Sequence, residues 1–189
     1  MYEKLVPGTV MSYAGIEGGM FSLFRPMIAA ADGLSLGQVS ALTGLECSTI
    51  QNWVKRGFVA HPVQKKYYER QLARILLIAA LRDCMKIDQI AALMQMVNGN
   101  VEDVRDDIIS EAKLYDYLCE TVRQLDLQHH SREEIEAVIQ RVTADYEGPS
   151  ADAAGRLNAA LLIMVCAYIS GVLKKEAELY FEQMKLGGI

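Results

Sequence analysis

Residues 34–57 read LSLGQVSALTGLECSTIQNWVKRG. Two short helical patterns sit back to back in this stretch. In the first, Leu36, Val39 and Leu42 recur at the spacing of one helix face, and Thr43-Gly44 ends it. Glycine tolerates the left-handed conformation that a tight helix exit requires. In the second, Ile50, Trp53 and Val54 share a face, and Gly57 lies one turn further on. Only Gly44, Leu45 and Glu46 separate the two patterns. Two amphipathic helices joined by so short a Gly-containing turn predict a helix-turn-helix, a pattern that other αα-corners share.

The buried face of the second helix dictates its outer face. With Ile50, Trp53 and Val54 inward, Ser48, Thr49, Gln51, Asn52 and Lys55 point outward. Short polar donors and acceptors with a cation are the set that reads base edges in a major groove. An ordinary solvated surface has the same composition, and Ser48 with Gln51 also spells a capping box, S-x-x-Q.

The next segment, FVAHPVQKKY from Phe58 to Tyr67, is too short and too Pro-interrupted for a helix. It predicts two short strands around a turn at Pro62 to Gln64, a minimal wing carrying Lys65 and Lys66 on its return. A helix follows from about Glu69, with Leu72, Ile75, Leu76, Ala79 and Ala80 as its core stripe and Arg70, Arg74 and Arg82 as its cations. Cys84-Met85-Lys86 reads as a break. A further helix, Ile87 to Val97, then buries Ile87, Ile90, Ala91 and Met94.

This order of elements resembles the DNA-binding domain of MerR-type regulators. The matching residues are Gly37, Thr43-Gly44, Thr49-Ile50, Arg56-Gly57-Phe58 and Tyr67. More closely, TIQNWVKRG followed by PVQKKY and a long aliphatic helix resembles an uncharacterised bacterial family whose N-terminal half is MerR-like. The resemblance covers roughly the first half of the chain. It implies a winged helix-turn-helix and DNA binding. Where MerR-type proteins carry an Arg followed by two aromatics in the second helix, this chain has Gln51, Asn52 and Trp53, and its wing is about five residues shorter.

Charge agrees with that reading. The formal net charge is −5, but residues 34–82 hold seven bases against two acids, giving +5. Residues 83–189 hold 10 bases against 19 acids, giving −9. A basic module on an acidic remainder is the footprint expected of a DNA reader with a second functional part. The residues expected to read bases are Ser48, Gln51 and Asn52. Those expected at phosphates are Thr49, Lys55, Arg56, Lys65, Lys66, Tyr67, Arg70 and Arg74.

The remainder of the chain predicts an arm over residues 1–33 and a helical dimerisation or effector domain over residues 99–189, flanking the winged module at 34–98. The expected architecture is all-α with a minimal β-wing. Met20 to Ala31 predicts a short helix in the arm, packed on a partner subunit or on the second domain. Val101 to Leu125 traces one apolar helix face, with Glu102, Asp103, Asp106 and Asp107 at a helix N-terminal turn. Ser131 and Glu134 spell a capping box, and Gly148-Pro149 a break. The last helix runs from about Ser150 to Met184, and its centre, Leu157 to Leu173, is apolar except for Asn158 and Ser170. Seventeen residues stand at the lower edge of a bilayer span. The run therefore predicts a bundle core or dimer interface first and a membrane helix second. MerR-type proteins pair through helices that follow the winged domain. The expected assembly is a homodimer with Ile163, Cys166, Ala167 and Ser170 near its interface. Tyr115, Tyr117, Tyr168 and Tyr180 are read as core or interface aromatics, with a ligand pocket as the alternative.

The four cysteines, Cys47, Cys84, Cys119 and Cys166, show no paired spacing, so free thiols in a reducing cytoplasm are expected. No phosphate loop, nucleophile elbow or paired-carboxylate pattern is present in the sequence, and no cofactor, metal or enzymatic role is expected. The leading expectation is a sequence-specific DNA-binding transcriptional regulator. The alternative is a protein-interaction module, membrane-associated or not, that has lost DNA binding.

Overall fold

Eight helices make up the fold in a computed structural model that describes residues 5–13, 18–101, 103 and 105–187. They are α1 (Met20–Ala30), α2 (Leu36–Thr43), α3 (Cys47–Lys55), α4 (Glu69–Leu81), α5 (Ile87–Asn98), α6 (Glu111–Gln124), α7 (Arg132–Val142) and α8 (Ala153–Lys185). No strand occurs among the described residues, so the protein is all-α there. The two strands expected for a wing are not formed. Pro62 has no N–H to contribute to a ladder, and only six residues lie between Ala60 and Tyr67. A tight reversal takes their place. Val63 and Lys66 exchange both backbone hydrogen bonds, at 2.8 and 3.0 Å, across Gln64 (φ 49°) and Lys65 (φ 64°). A second single bridge pairs Tyr67 with Leu34, which fastens the end of this segment to the start of α2.

Local chemistry explains the helix ends. Ser35 and Gln38 form a reciprocal capping box at the start of α2, and Gly44 closes it at φ 70°. The same S-x-x-Q spelling at Ser48 and Gln51 makes no box, because α3 starts earlier, at Cys47, and Ser48 already lies inside the helix. The box at Ser131 and Glu134 begins α7 as expected. The expected helix from Val101 is shorter than its apolar pattern. It starts at Glu111, capped by the Ser110 hydroxyl, which accepts from Lys113 N–H. Asp103, Asp106 and Asp107 before it belong to a loop. Asp106 accepts from Asn100 N–H, Asp103 grips Arg105, and the amide of Asn98 donates to Ile109 O. Glu102 and Val104, like Gly15 of the arm, lie outside the described residues.

The central element is α4, which contacts α1, α2, α5, α6 and α8. Ten of its thirteen residues are buried, Arg74 and Gln71 among them. The arm packs on this same chain. Phe21 meets Phe24 and Tyr115 edge-on at ring distances of 5.4 and 5.8 Å, and the Tyr115 hydroxyl donates to Pro7 O at 2.6 Å. A single apolar cluster runs from Val6 through α1–α8 to Ile169, so the three expected segments share one core. Leu114, Tyr115, Leu118 and Val122 of α6 are fully used inside it. They pack within the chain's own core.

Candidate nucleic-acid interface

α3 presents two chemically distinct sides. Ile50, Trp53 and Val54 are buried, while Ser48, Gln51, Asn52 and Lys55 are exposed and Thr49 is half-buried. The short turn from Gly44 to Glu46 sets α3 against α2, and α2 in turn contacts α4. The Thr43 hydroxyl closes the corner, donating to Val39 O and accepting from Leu45 N–H. At the end of α3, Arg56 stacks over the Phe58 ring at 4.6 Å and stands 3.6 Å from Asp88, with both charged groups exposed. Lys65 is exposed at the tip of the following reversal.

Four of the expected phosphate contacts are buried or engaged within the protein. Tyr67 is buried beneath the reversal. Lys66 turns inward, and its Nζ donates to Ala31 O at 3.0 Å and Gly33 O at 3.1 Å. Arg70 is held by Glu111 at 3.2 Å and by the carbonyls of Asn100 and Asp103. Arg74 is 3% exposed, donates from Nε to Phe58 O at 3.1 Å, and lies 3.8 Å from Glu111. Burial pulls the Arg74 guanidinium below its ordinary pKa, and the Glu111 carboxylate opposes that shift. The expected contacts that remain exposed are Ser48, Gln51, Asn52, Lys55 and Arg56 on or at the end of α3 and Lys65 on the reversal, with Thr49 half-buried.

Between α4 and the start of α6 lies a largely buried ionic cluster. Glu111, itself 3% exposed, faces Arg70 and Arg74, with Asp107 beside them. Burial, then the neighbouring Glu111 charge, pushes the Asp107 carboxyl up to about 6. One signal for it was present. Arg74 falls on the same face of α4 as Leu77 and Ile78, both of which are buried.

The other expected sites separate. Tyr115 is buried, Tyr117 donates to Asp145 at 2.7 Å, Tyr168 donates to Leu5 O at 3.1 Å, and Tyr180 is exposed near the end of α8. All four cysteines are free, but only Cys119 is buried, and burial raises its thiol pKa. Cys84 and Cys166 are exposed. Of the four residues expected near a dimer interface, Ile163, Cys166 and Ser170 are exposed, whereas Ala167 faces the protomer's own core. α8 is long and apolar enough to cross a membrane, yet half of its most apolar window is buried within the protein. Among the described residues, no group of three or more His, Cys, Asp or Glu side chains is placed to hold a metal ion.

Residues 32–118 match the model of a family described as a domain of unknown function, DUF1836. That span includes α2, α3, the reversal, α4 and the first turns of α6. The chain is also similar to the uncharacterized protein YkrK of Bacillus subtilis strain 168, at 34% identity over 101 residues. The match takes in 51% of this chain and 42% of that relative, so it spans less than half the relative's length. No solved structure matches the chain.

Proposed function

We propose that this protein is a cytoplasmic, sequence-specific DNA-binding regulator that acts as a homodimer, with α2 and α3 as its helix-turn-helix. The observation that carries this reading is the outer face of α3, where short polar side chains and Lys55 stand exposed over a fixed apolar base of Ile50, Trp53 and Val54. On this reading α3 enters the major groove, and Ser48, Gln51 and Asn52 read base edges. Thr49, Lys55, Arg56 and Lys65 contact phosphates, with Lys65 taking the place of a longer wing. Base contacts set specificity, whereas phosphate contacts set affinity and its salt dependence.

The test is retardation of duplexes selected from a random pool, measured over a range of salt. Lys55→Ala with Lys65→Ala should weaken binding equally on all sequences and flatten the log–log salt slope by roughly 2. Gln51→Ala with Asn52→Ala should instead reduce discrimination by about 1–3 kcal/mol for each lost bidentate contact. A pure protein that retards no DNA even at low salt overturns the reading.

A second reading is favoured by one specific observation. Four of the basic or aromatic side chains expected at phosphates are buried or already engaged within the protein, and Gln51 stands where MerR-type proteins carry an Arg. The same α3 face then serves a protein partner, with α8 at a membrane as one form of that role. Recovery of the full chain only in the membrane fraction would favour this reading.

A further inference from the structure

The ionic cluster between α4 and α6 joins two regions that lie far apart in sequence. On one side Arg70 holds the loop between α5 and α6, through the carbonyls of Asn100 and Asp103. On the other side Arg74 holds the exit of α3, because its Nε donates to Phe58 O at 3.1 Å. Phe58 N–H in turn donates to Trp53 O at 2.9 Å, and Trp53 belongs to the inward face of α3. The Phe58 ring also carries the Arg56 guanidinium at 4.6 Å. Glu111 is shared unequally between the two arginines, at 3.2 Å from Arg70 Nε and 3.8 Å from Arg74 Nη1.

The cluster is not fully satisfied. Arg74 Nη1 and Asp107 Oδ1 are both buried, and neither has a hydrogen-bond partner among the described residues. In a cluster built for stability alone such atoms are paired, since each unpaired one carries its desolvation cost. Asp107 sits on the α5–α6 loop, four residues before Glu111. The charged groups around it are Glu111 of α6, Arg70 and Arg74 of α4, and Asp106 of its own loop. Burial first, and then the Glu111 charge, bring its carboxyl up to about 6, so mild acidification protonates it.

A charged Asp107 repels Glu111 and competes with it for both arginines. A protonated one no longer repels Glu111 and brings it a donor. We infer that the cluster is a proton-operated joint between the α5–α6 loop and the exit of α3. With its proton, Asp107 closes on Glu111, the loop is firm and Arg74 is held at Phe58. Without it the loop slackens, and α3 loses part of the support beneath Arg56. The consequence for DNA rests on the reading proposed above, on which a firmly seated α3 has less to order on binding and so binds more tightly. The joint itself does not depend on that reading.

Trp53 is the single tryptophan of the chain, so α3 carries its own reporter. The test follows Trp53 fluorescence of the full chain from about pH 5 to about pH 8, with hydrogen exchange over residues 105–110 as the readout of the loop. The background carries His61→Gln, His129→Gln and His130→Gln, which removes all 3 histidines and their titration. Both signals should change there with one midpoint at about 6, and exchange corrected for its intrinsic pH dependence should be slower on the acid side. Asp107→Asn should abolish both changes and hold both signals at their acid values, because an amide is neutral and donates. Arg74→Lys keeps the charge but loses the fork that reaches Phe58 O and Glu111 together, so the loop should still titrate while Trp53 does not. A flat Trp53 signal in the histidine-free background overturns the proposal, as does a Trp53 transition that survives Asp107→Asn or Arg74→Lys. The Asp107→Asn comparison stands on its own if Arg74→Lys unfolds. DNA affinity in the same background should fall severalfold as pH rises through the transition and stay level in Asp107→Asn. A protein whose Trp53 titrates as stated but that retards no DNA overturns the DNA-binding reading and leaves the joint standing. DNA bound with one affinity across the transition overturns the joint's hold on the outer face of α3.

Discussion

α4 and α8 are both long aliphatic helices, and each does the opposite of what its composition suggests. α4 carries two arginines and places Arg74 inside, against Phe58 O and Glu111. α8 carries the longest apolar run in the chain and leaves a stripe of it outside. The difference lies in their surroundings. α4 contacts five other helices, so even its polar positions are enclosed. α8 contacts four other helices, but it is 33 residues long, and after Lys175 almost every residue is exposed, so its apolar run outlasts the body that could cover it. Side-chain type states a preference, whereas the reach of the surrounding elements decides whether it is met.

The largest expected effect tests the enclosed side of this comparison. Glu111→Ala leaves Arg70 and Arg74 without their shared carboxylate, and loss of one partner from a buried charge pair costs about 3–5 kcal/mol. Urea unfolding at fixed protein concentration checks it. Arg74→Met combined with Glu111→Leu should recover much of that loss, and failure to recover would show that Arg70 or Asp107 depends on the same carboxylate.

The two faces of α8 give the next test. Leu161→Ala removes a fully buried side chain and should cost about 2–5 kcal/mol. Leu173→Ala removes one that is 48% exposed and should cost under about 1 kcal/mol in a monomeric background. Equal losses would mean that the outer face is also folded against something within the protomer.

A smaller effect of opposite sign is expected at Asp107. Its carboxyl is raised to about 6 in the fold, above its ordinary 3.8. The folded state therefore binds the proton more tightly than the unfolded chain does. The group weakens the fold at neutral pH, and this penalty fades as pH falls through about 6 toward 4. Asp107→Asn should stabilise the protein by about 1 kcal/mol at pH 7, a figure discounted for partial exposure, and by nothing near pH 4. Thermal unfolding at both pH values decides it. The smallest effect belongs to Arg25→Ala, which breaks an exposed two-point pair with Glu69 at 2.7 and 2.8 Å and should cost well under about 1 kcal/mol.

Much of the fold was legible in local chemistry. The ends of α2, α7 and α8 follow from Gly44, Ser131 and the Gly148-Pro149 break, since caps and breakers act within a turn of where they stand. The start of α6 was hidden for the same reason. The run of acids from Glu102 to Asp107 imitates a helix N-terminus in sequence, and the ties of Asn98, Asn100 and Ile108 hold Asp103, Asp106 and Asp107 in a loop instead. Within the candidate interface, the outer face of α3 was readable because its buried face was. The inward turn of Lys66 was not, because its acceptors, Ala31 O and Gly33 O, lie more than thirty residues away in sequence. For Arg74 only the face it lies on hinted at burial; the groups that satisfy it, Phe58 O and the Glu111 carboxylate, come from elements before and after α4 and were not legible.

One consequence follows from the reversal between Val63 and Lys66. Two non-glycine residues, Gln64 and Lys65, hold positive φ at its tip, where Asn-Gly would sit at lower energy. The pairing of Tyr67 with Leu34 and the grip of Lys66 on two carbonyls hold the flanks closed and so sustain the strain. Gln64→Asn with Lys65→Gly should therefore yield a more heat-resistant protein that lacks the cation at this tip. On the DNA-binding reading, thermal tolerance and affinity oppose each other at one dipeptide, and selection for either alone would move the sequence in a recognisable direction.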